Sequence, residues 1–386
     1  QQKYLCVSRP RRFGKTMAAD MLSAYYSRGC SSETLFSGRK AESVSSFQTH
    51  LNRHNVIRLD IQQFLFRESH LDIFIDQIEK SVMEELGEAF GDCLGEDLED
   101  PYGLPGALQR VYAHTGKGFI FIIDEWDCVF RLAKDRQEIQ KEYLGFLRGL
   151  FKGQEYVDLA YMTGILPIKK YGEHSAINIF EEFSMIDPGE LSEFFGFTEE
   201  EVRDLCSQRQ VDFQELQNWY DGYVLNGRHI YNPKSVVDVM RRKKFKSYWT
   251  GTETYEALKV YMDLNFDGLN EAVVQMLGNV PCQIDPSTCQ NDMTTFKNRD
   301  DVLTLLVHLG YLAYDDTSGE AFIPNLEITQ EFLRVIKTGG WDGLAQSLER
   351  SSRLLESTWA LDGEAVAEGV ATIHRETASI LKYKDE

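Results

Sequence analysis

One short stretch constrains this chain more than any other. Lys3 to Ser8 (KYLCVS) has the length and apolarity of a buried strand. Arg9 to Thr16 (RPRRFGKT) follows, and then Met17, Met21, Leu22 and Tyr25 recur at helical spacing. Strand, loop, helix, with Gly-Lys-Thr at the loop–helix junction, is the context a phosphate-binding loop requires. Amide N–H groups at a helix N-terminus have no intrahelical partner and favour an anion. Gly14 would let the backbone approach a phosphate. Lys15 would reach the terminal phosphates, and the Thr16 hydroxyl would bind Mg2+. The general pattern GxxxxGK[ST] asks for glycine where this chain has Arg9, and Pro10, Arg11, Arg12 and Phe13 fill the rest of the loop. Two readings of Arg9, Arg11 and Arg12 stand side by side: further phosphate contacts, or solvated charges.

A phosphate loop needs an acidic partner for magnesium. Phe119 to Ile123 (FIFII) is a continuous apolar run of strand length, followed by Asp124-Glu125-Trp126-Asp127. Such a run suits a central parallel strand buried on both faces. Carboxylates at its C-terminal end stand where open α/β sheets bind ligands. Asp124 would hold Mg2+, and Glu125 would act as general base on the attacking water. Glu directly after Asp fits the ATPase class in which an extra strand separates the loop strand from the acidic strand. Val157 to Met162 is the candidate extra strand, and Thr163 at its end would feel the γ-phosphate or simply cap the strand. Asn55–Asp60 and Glu182–Met185 are candidate further strands. The fold class expected is α/β: a three-layer P-loop NTPase with a mostly parallel sheet, followed by a helical lid and a winged-helix-like region. The boundaries expected are 1–187 for the ATPase core, 188–300 for the lid, and 301–386 for the winged-helix-like and C-terminal helical region. Residues 91–106, rich in Gly, Asp and Pro, are expected to form an exposed loop.

RPRRFGKT, FIFIIDEWD, MTGILPIKKYG, WYDGY with IYNPKSV, HLGYL and FIPNLEI together resemble the AAA-ATPase-like family of P-loop proteins. Arg at the first-glycine position is usual there. The resemblance implies ATP and Mg2+ as ligands. It also implies ATP hydrolysis coupled to conformational change, or a nucleotide-gated switch with little turnover. Family members often carry a C-terminal PD-(D/E)XK nuclease-type domain, through which nucleic acid could be engaged. No Glu lies two residues before any Lys here, so that nuclease centre is expected to lie outside these 386 residues. The chain lacks an initiator Met and opens almost directly into an apolar run, so it is read as a fragment or processed chain. No arginine finger is evident. Lys169 and Lys170 are the candidate cations, and a finger from a neighbour would require a homo-oligomer.

Charge bears on partners. The net charge is −20, yet residues 1–60 carry ten Lys/Arg against four Asp/Glu. The excess of base surrounds the phosphate loop and suits a local anionic ligand, while the whole chain disfavours indiscriminate binding to nucleic acid or anionic membranes. The basic run Arg241 to Lys246 (RRKKFK) is a possible nucleic-acid contact or a solvated helix end. Helix 302–309 followed by a hairpin with an acidic tip (Asp315, Asp316, Glu320) suggests the winged-helix-like unit, though the tip is a poor grip for phosphate. Seven scattered cysteines without a CxxC pair suit a reducing, cytoplasmic setting. No apolar run approaches the roughly 20 residues of a membrane span.

Overall fold

The computed structural model describes all residues except 1, 66–70, 95–101, 169–176, 250–257, 263, 265, 267, 290–295, 339–341 and 382–386. Five parallel strands form its main sheet: β1 (Tyr4–Ser8), β2 (Asn55–Asp60), β3 (Phe119–Asp124), β4 (Val157–Gly164) and β5 (Glu181–Phe183). Their order is β2-β3-β4-β1-β5. The extra strand β4 therefore lies between the loop strand β1 and the acidic strand β3. The register pairs Val7 with Thr163 and Ile123 with Met162, which brings the C-terminal ends of the three strands level.

Alternation along the strands sorts the core into two layers. Val7, Ile120, Ile122, Tyr161 and Phe183 face one side, where they pack with Ala19 and Leu22 of helix α1 (Lys15–Tyr26). Phe119 and Phe121 face the other. There the Phe119 ring meets Phe90 of α2 (Phe74–Leu94), and the Phe121 ring meets Phe151 of α3 (Gln137–Phe151) at 5.2 Å. Every residue of β3 is buried, as an apolar run covered on both faces requires. This is a P-loop-like α/β fold with helices on both sides of a parallel sheet.

Two local readings change. Met17 and Met21 of α1 are 69% and 51% exposed, and the helix buries Lys15 and Ala19 instead. In 91–106, α2 runs on to Leu94 and the next helix starts at Gly103, with 95–101 outside the described residues.

Beyond β5 the chain adds an antiparallel sheet of β6 (Phe197–Thr198), β7 (Tyr223–Leu225) and β8 (Arg228–Tyr231), in the order β6-β8-β7. Helix α4 (Glu199–Arg209) starts on a capping box between Thr198 and Glu201. Helices α5 (Phe213–Tyr220) and α6 (Pro233–Arg242) join α4 around Val202, Leu216, Tyr220 and Val236. Next come α7 (Leu269–Leu277), β9 (Cys282–Gln283), α8 (Arg299–Leu309), β10 (Ala313–Asp315) and β11 (Glu320–Phe322). The last three strands pair in the order β10-β11-β9.

The chain divides into two compact units: Gln1–Trp249 with Asn265–Glu327, and Thr250–Leu264 with Ile328–Glu386. Helix α9 (Leu326–Thr338) begins in the first and continues in the second. The second also contains α10 (Asp342–Trp359) and α11 (Gly363–Leu381), which pack against each other. No helix among the described residues is long and apolar enough to cross a membrane.

Candidate functional site

The loop between β1 and α1 turns on two left-handed residues, Arg12 at φ 68° and Gly14 at φ 89°. Gly14 is the N-cap of α1, and no side chain caps that helix. Its first-turn amides are therefore left to an outside acceptor. A Cβ at Gly14 would meet nothing within 4 Å, so the space over the turn is open. Lys15 is buried, and its ammonium donates to the Pro10 carbonyl at 3.1 Å. Burial lowers its pKa; Glu125, Asp127 and Asp124 oppose that shift, while Arg131 adds to it.

The acidic side of the site is the end of β3. Asp124 is buried, with Thr16 and Lys15 close enough to act on its carboxyl. Desolvation raises its pKa, with Thr16 and Lys15 acting the other way. Glu125 stands at φ 53° with its N–H bonded to Asp124 Oδ1 at 3.1 Å. Burial raises its pKa too, against the charges of Lys15 and Arg131. Its carboxylate pairs with Arg131, which also contacts Asp127. Thr163, at the end of β4, is wholly buried, and its carbonyl accepts from the Trp126 N–H at 3.1 Å.

The structure thus gathers Lys15, Thr16, Asp124 and Glu125 at one end of the sheet, with Thr163 beside them on β4. It sends other loop side chains elsewhere. Arg9 is wholly buried and donates to the carbonyls of Phe183 (2.8 Å), Ser184 (3.0 Å) and Ser8 (3.0 Å). It ties β1 to β5 instead of facing a phosphate, and desolvation pulls its pKa down to about 10. Phe13 is buried, edge-on to the Tyr223 ring at 5.4 Å, and is an anchor for the loop. Arg12 donates to the carbonyls of Tyr248 and Trp249. The Arg11 side chain is exposed, while its carbonyl accepts from Trp249 Nε1 at 3.1 Å. Lys169 and Lys170 lie outside the described residues.

Residues from far along the chain therefore brace the loop. Tyr223 also donates to the Gly310 carbonyl at 2.6 Å, and Gly310 sits so close that a Cβ there would come within 2.7 Å of Pro10. The signals were the aromatic cluster WYDGY and the Gly310-Tyr311 pair, whose spacing says nothing about their partner. Residues 1–172 match the family model described as "Predicted AAA-ATPase". Over those residues the chain is similar to the AAA-ATPase-like family. A protein of Azotobacter chroococcum mcd 1, described as an uncharacterized protein in the vnfD 5′ region, is 26% identical over 264 residues. The match covers 66% of this chain and 49% of that relative, so the chain spans about half of the relative's length. An AAA-ATPase-like chain implies a bound nucleotide, usually with Mg2+. The residues present fit: an uncapped helix start for phosphate, and the Thr16 hydroxyl and Asp124 carboxylate near each other as oxygen ligands for magnesium.

Proposed function

We propose that the chain binds ATP with Mg2+ at the β1–α1 loop and hydrolyses it, coupling turnover to conformational change. The observation that carries this reading is the strand order that sets the β1–α1 loop level with the end of β3, where Lys15 shares a charge cluster with Asp124 and Glu125. In this reading the first-turn amides of α1 and Lys15 hold the phosphates, and Thr16 and Asp124 hold magnesium. The ion, when bound, neutralises charge developing on the phosphoryl oxygens. Glu125 takes a proton from the attacking water, and Thr163 orients that water or the terminal phosphate.

A second reading, a nucleotide-gated switch with little turnover, is favoured by one feature. Arg12 donates to the carbonyls of Tyr248 and Trp249, the Arg11 carbonyl accepts from the Trp249 indole, and the N–H groups of 248 and 249 both donate to the buried carboxylate of Glu327. A change in the loop thus has a bonded path to the start of α9. A third reading, DNA association, has as support the helix–strand–helix–hairpin order of α7 to β11, which suits a winged-helix-like unit. Against it, Lys234, Arg241 and Arg242 all pair with Asp238, which neutralises part of the basic run. The acidic hairpin tip also repels phosphate.

The deciding experiment measures ATP binding and Mg2+-dependent hydrolysis for the parent, Lys15→Ala and Glu125→Gln. Hydrolysis stands if Lys15→Ala abolishes binding and Glu125→Gln binds ATP without turnover. Binding without turnover in the parent selects the switch. A parent that binds no ATP sinks both readings.

A further inference from the structure

We propose that Arg131 is a positioning residue for hydrolysis, fixing the Glu125 carboxylate without contacting the phosphates itself. The proposal rests on the hydrolysis reading above. Arg131 lies on a short helix, Cys128–Leu132, immediately after the acidic turn. Its side chain is only 11% exposed. Nη2 pairs with Glu125 Oε2, and Nε lies 3.2 Å from Asp127 Oδ2. One planar guanidinium thus spans two carboxylates, a geometry that an ammonium cannot reproduce.

The far end of this brace is fixed. Asp127 is wholly buried, and its Oδ2 also accepts from the amides of Ile165 (3.2 Å) and Leu166 (2.9 Å). Gly164 packs so tightly here that a Cβ would fall 2.5 Å from Asp127 Oδ1 and 2.8 Å from the Trp126 ring. The backbone after β4 therefore holds Asp127, Asp127 holds Arg131, and Arg131 holds Glu125.

The near end is fixed only in part without the arginine. The left-handed backbone of Glu125 and its N–H bond to Asp124 set the direction of Cα–Cβ. The remaining torsions of a glutamate are free to rotate. Arg131 removes that freedom on one side, while the Lys15 charge acts on the carboxylate from another. The resulting row of charges alternates: Lys15, Glu125, Arg131, Asp127. An arginine that swung out to a phosphate would abandon two largely buried carboxylates, a costly rearrangement. This geometry separates Arg131 from an arginine finger, which acts on the transferring phosphoryl group.

The test compares Arg131→Gln and Arg131→Lys with the parent and with Glu125→Asp, measuring ATP affinity and kcat separately. Misplacing a reacting group costs on the order of 100-fold in rate. Arg131→Gln is therefore expected to lower kcat by roughly that factor, with ATP affinity within about twofold of the parent. Arg131→Lys retains charge but not the fork and is expected to fall between. On a Glu125→Asp background, which keeps a carboxylate and measurable turnover, Arg131→Gln should add little further loss, because the two residues act as one unit. Should Arg131→Gln fail to fold, the Arg131→Lys result decides. Parental turnover in either folded variant overturns the proposal, as does lost ATP affinity or a full multiplication of the two effects. A parent that binds ATP without turnover instead removes the hydrolysis reading on which the proposal depends.

Discussion

The buried carboxylate of Glu327 accepts a hydrogen bond from the backbone N–H of Trp249 at 2.7 Å. The same carboxylate takes the Tyr248 N–H and the Ser235 hydroxyl. The two carbonyls of that peptide segment are the acceptors for Arg12 of the β1–α1 loop. Truncating Glu327 to alanine strands two amides in the interior, at about 1–3 kcal/mol each. Glu327→Ala is thus expected to lower unfolding stability by roughly 2–6 kcal/mol, and to weaken ATP binding through the loosened loop. Urea denaturation and an ATP titration check both. Unchanged ATP affinity in a folded, destabilised variant would break the link from Glu327 to the loop.

Arg9 is expected to matter for folding and not for direct phosphate contact. Arg9→Met keeps much of the volume but leaves the carbonyls of Phe183 and Ser184 without their donor. The expected loss is on the order of 3 kcal/mol, read as a lower denaturant midpoint. An Arg9→Met protein with parental stability would show that the β1–β5 tie is dispensable.

Gly222 occupies a position that no other residue fits. Its φ is 112°, and a Cβ there would lie 2.0 Å from the Pro324 carbonyl oxygen. Neighbouring Asp221 pins the same place, with its own carbonyl bonded to Asn325 Nδ2 at 2.7 Å. Gly222→Ala should therefore destabilise by more than about 3 kcal/mol, beyond the usual range of point substitutions. A melting temperature within a degree or so of the parent's would contradict the close approach.

His308 predicts an acid sensitivity. It is wholly enclosed on α8, Nδ1 has no hydrogen-bond partner among the described residues, and burial drives its pKa down from 6.5 to about 3. Above pH 6.5 both folded and unfolded forms are neutral, so no penalty applies. As pH falls from 6.5 towards 3, only the unfolded chain takes the proton. Stability is then lost at up to about 1.4 kcal/mol per pH unit. His308→Gln should flatten that slope in denaturant midpoints measured between pH 6.5 and 4.5. An identical slope in both proteins would mean that other groups carry it.

Much of the architecture is legible in the chain. The strand at Phe119–Asp124 is an apolar run of strand length buried along its whole length, and Asn55–Asp60 and Val157–Gly164 read as strands despite an exposed polar residue in each. The antiparallel sheet is harder to read, because strands of two to four residues hold no measurable period. Even so, Asn226-Gly227, at φ 51° and 71°, is the kind of two-residue hairpin turn that joins β7 to β8. Spacing also fails to say which way a side chain points. Met17 and Met21 share a helix face, but it is the solvent face. Arg9 and Phe13 stand in the phosphate loop by sequence and in the core by geometry. Arg131 carried no signal at all, since its role depends on carboxylates that only the fold places beside it.

Arg9 has one more consequence. Its guanidinium lies behind the loop at the end of β1, bonded to carbonyls and with no carboxylate partner among the described residues. A charge shielded from water is poorly screened by dissolved ions, and its field reaches further through the low-polarisability interior. Arg9 therefore adds, from inside the sheet, a positive contribution to the field at the base of the loop. That contribution should persist at ionic strengths that silence the exposed charge of Arg11.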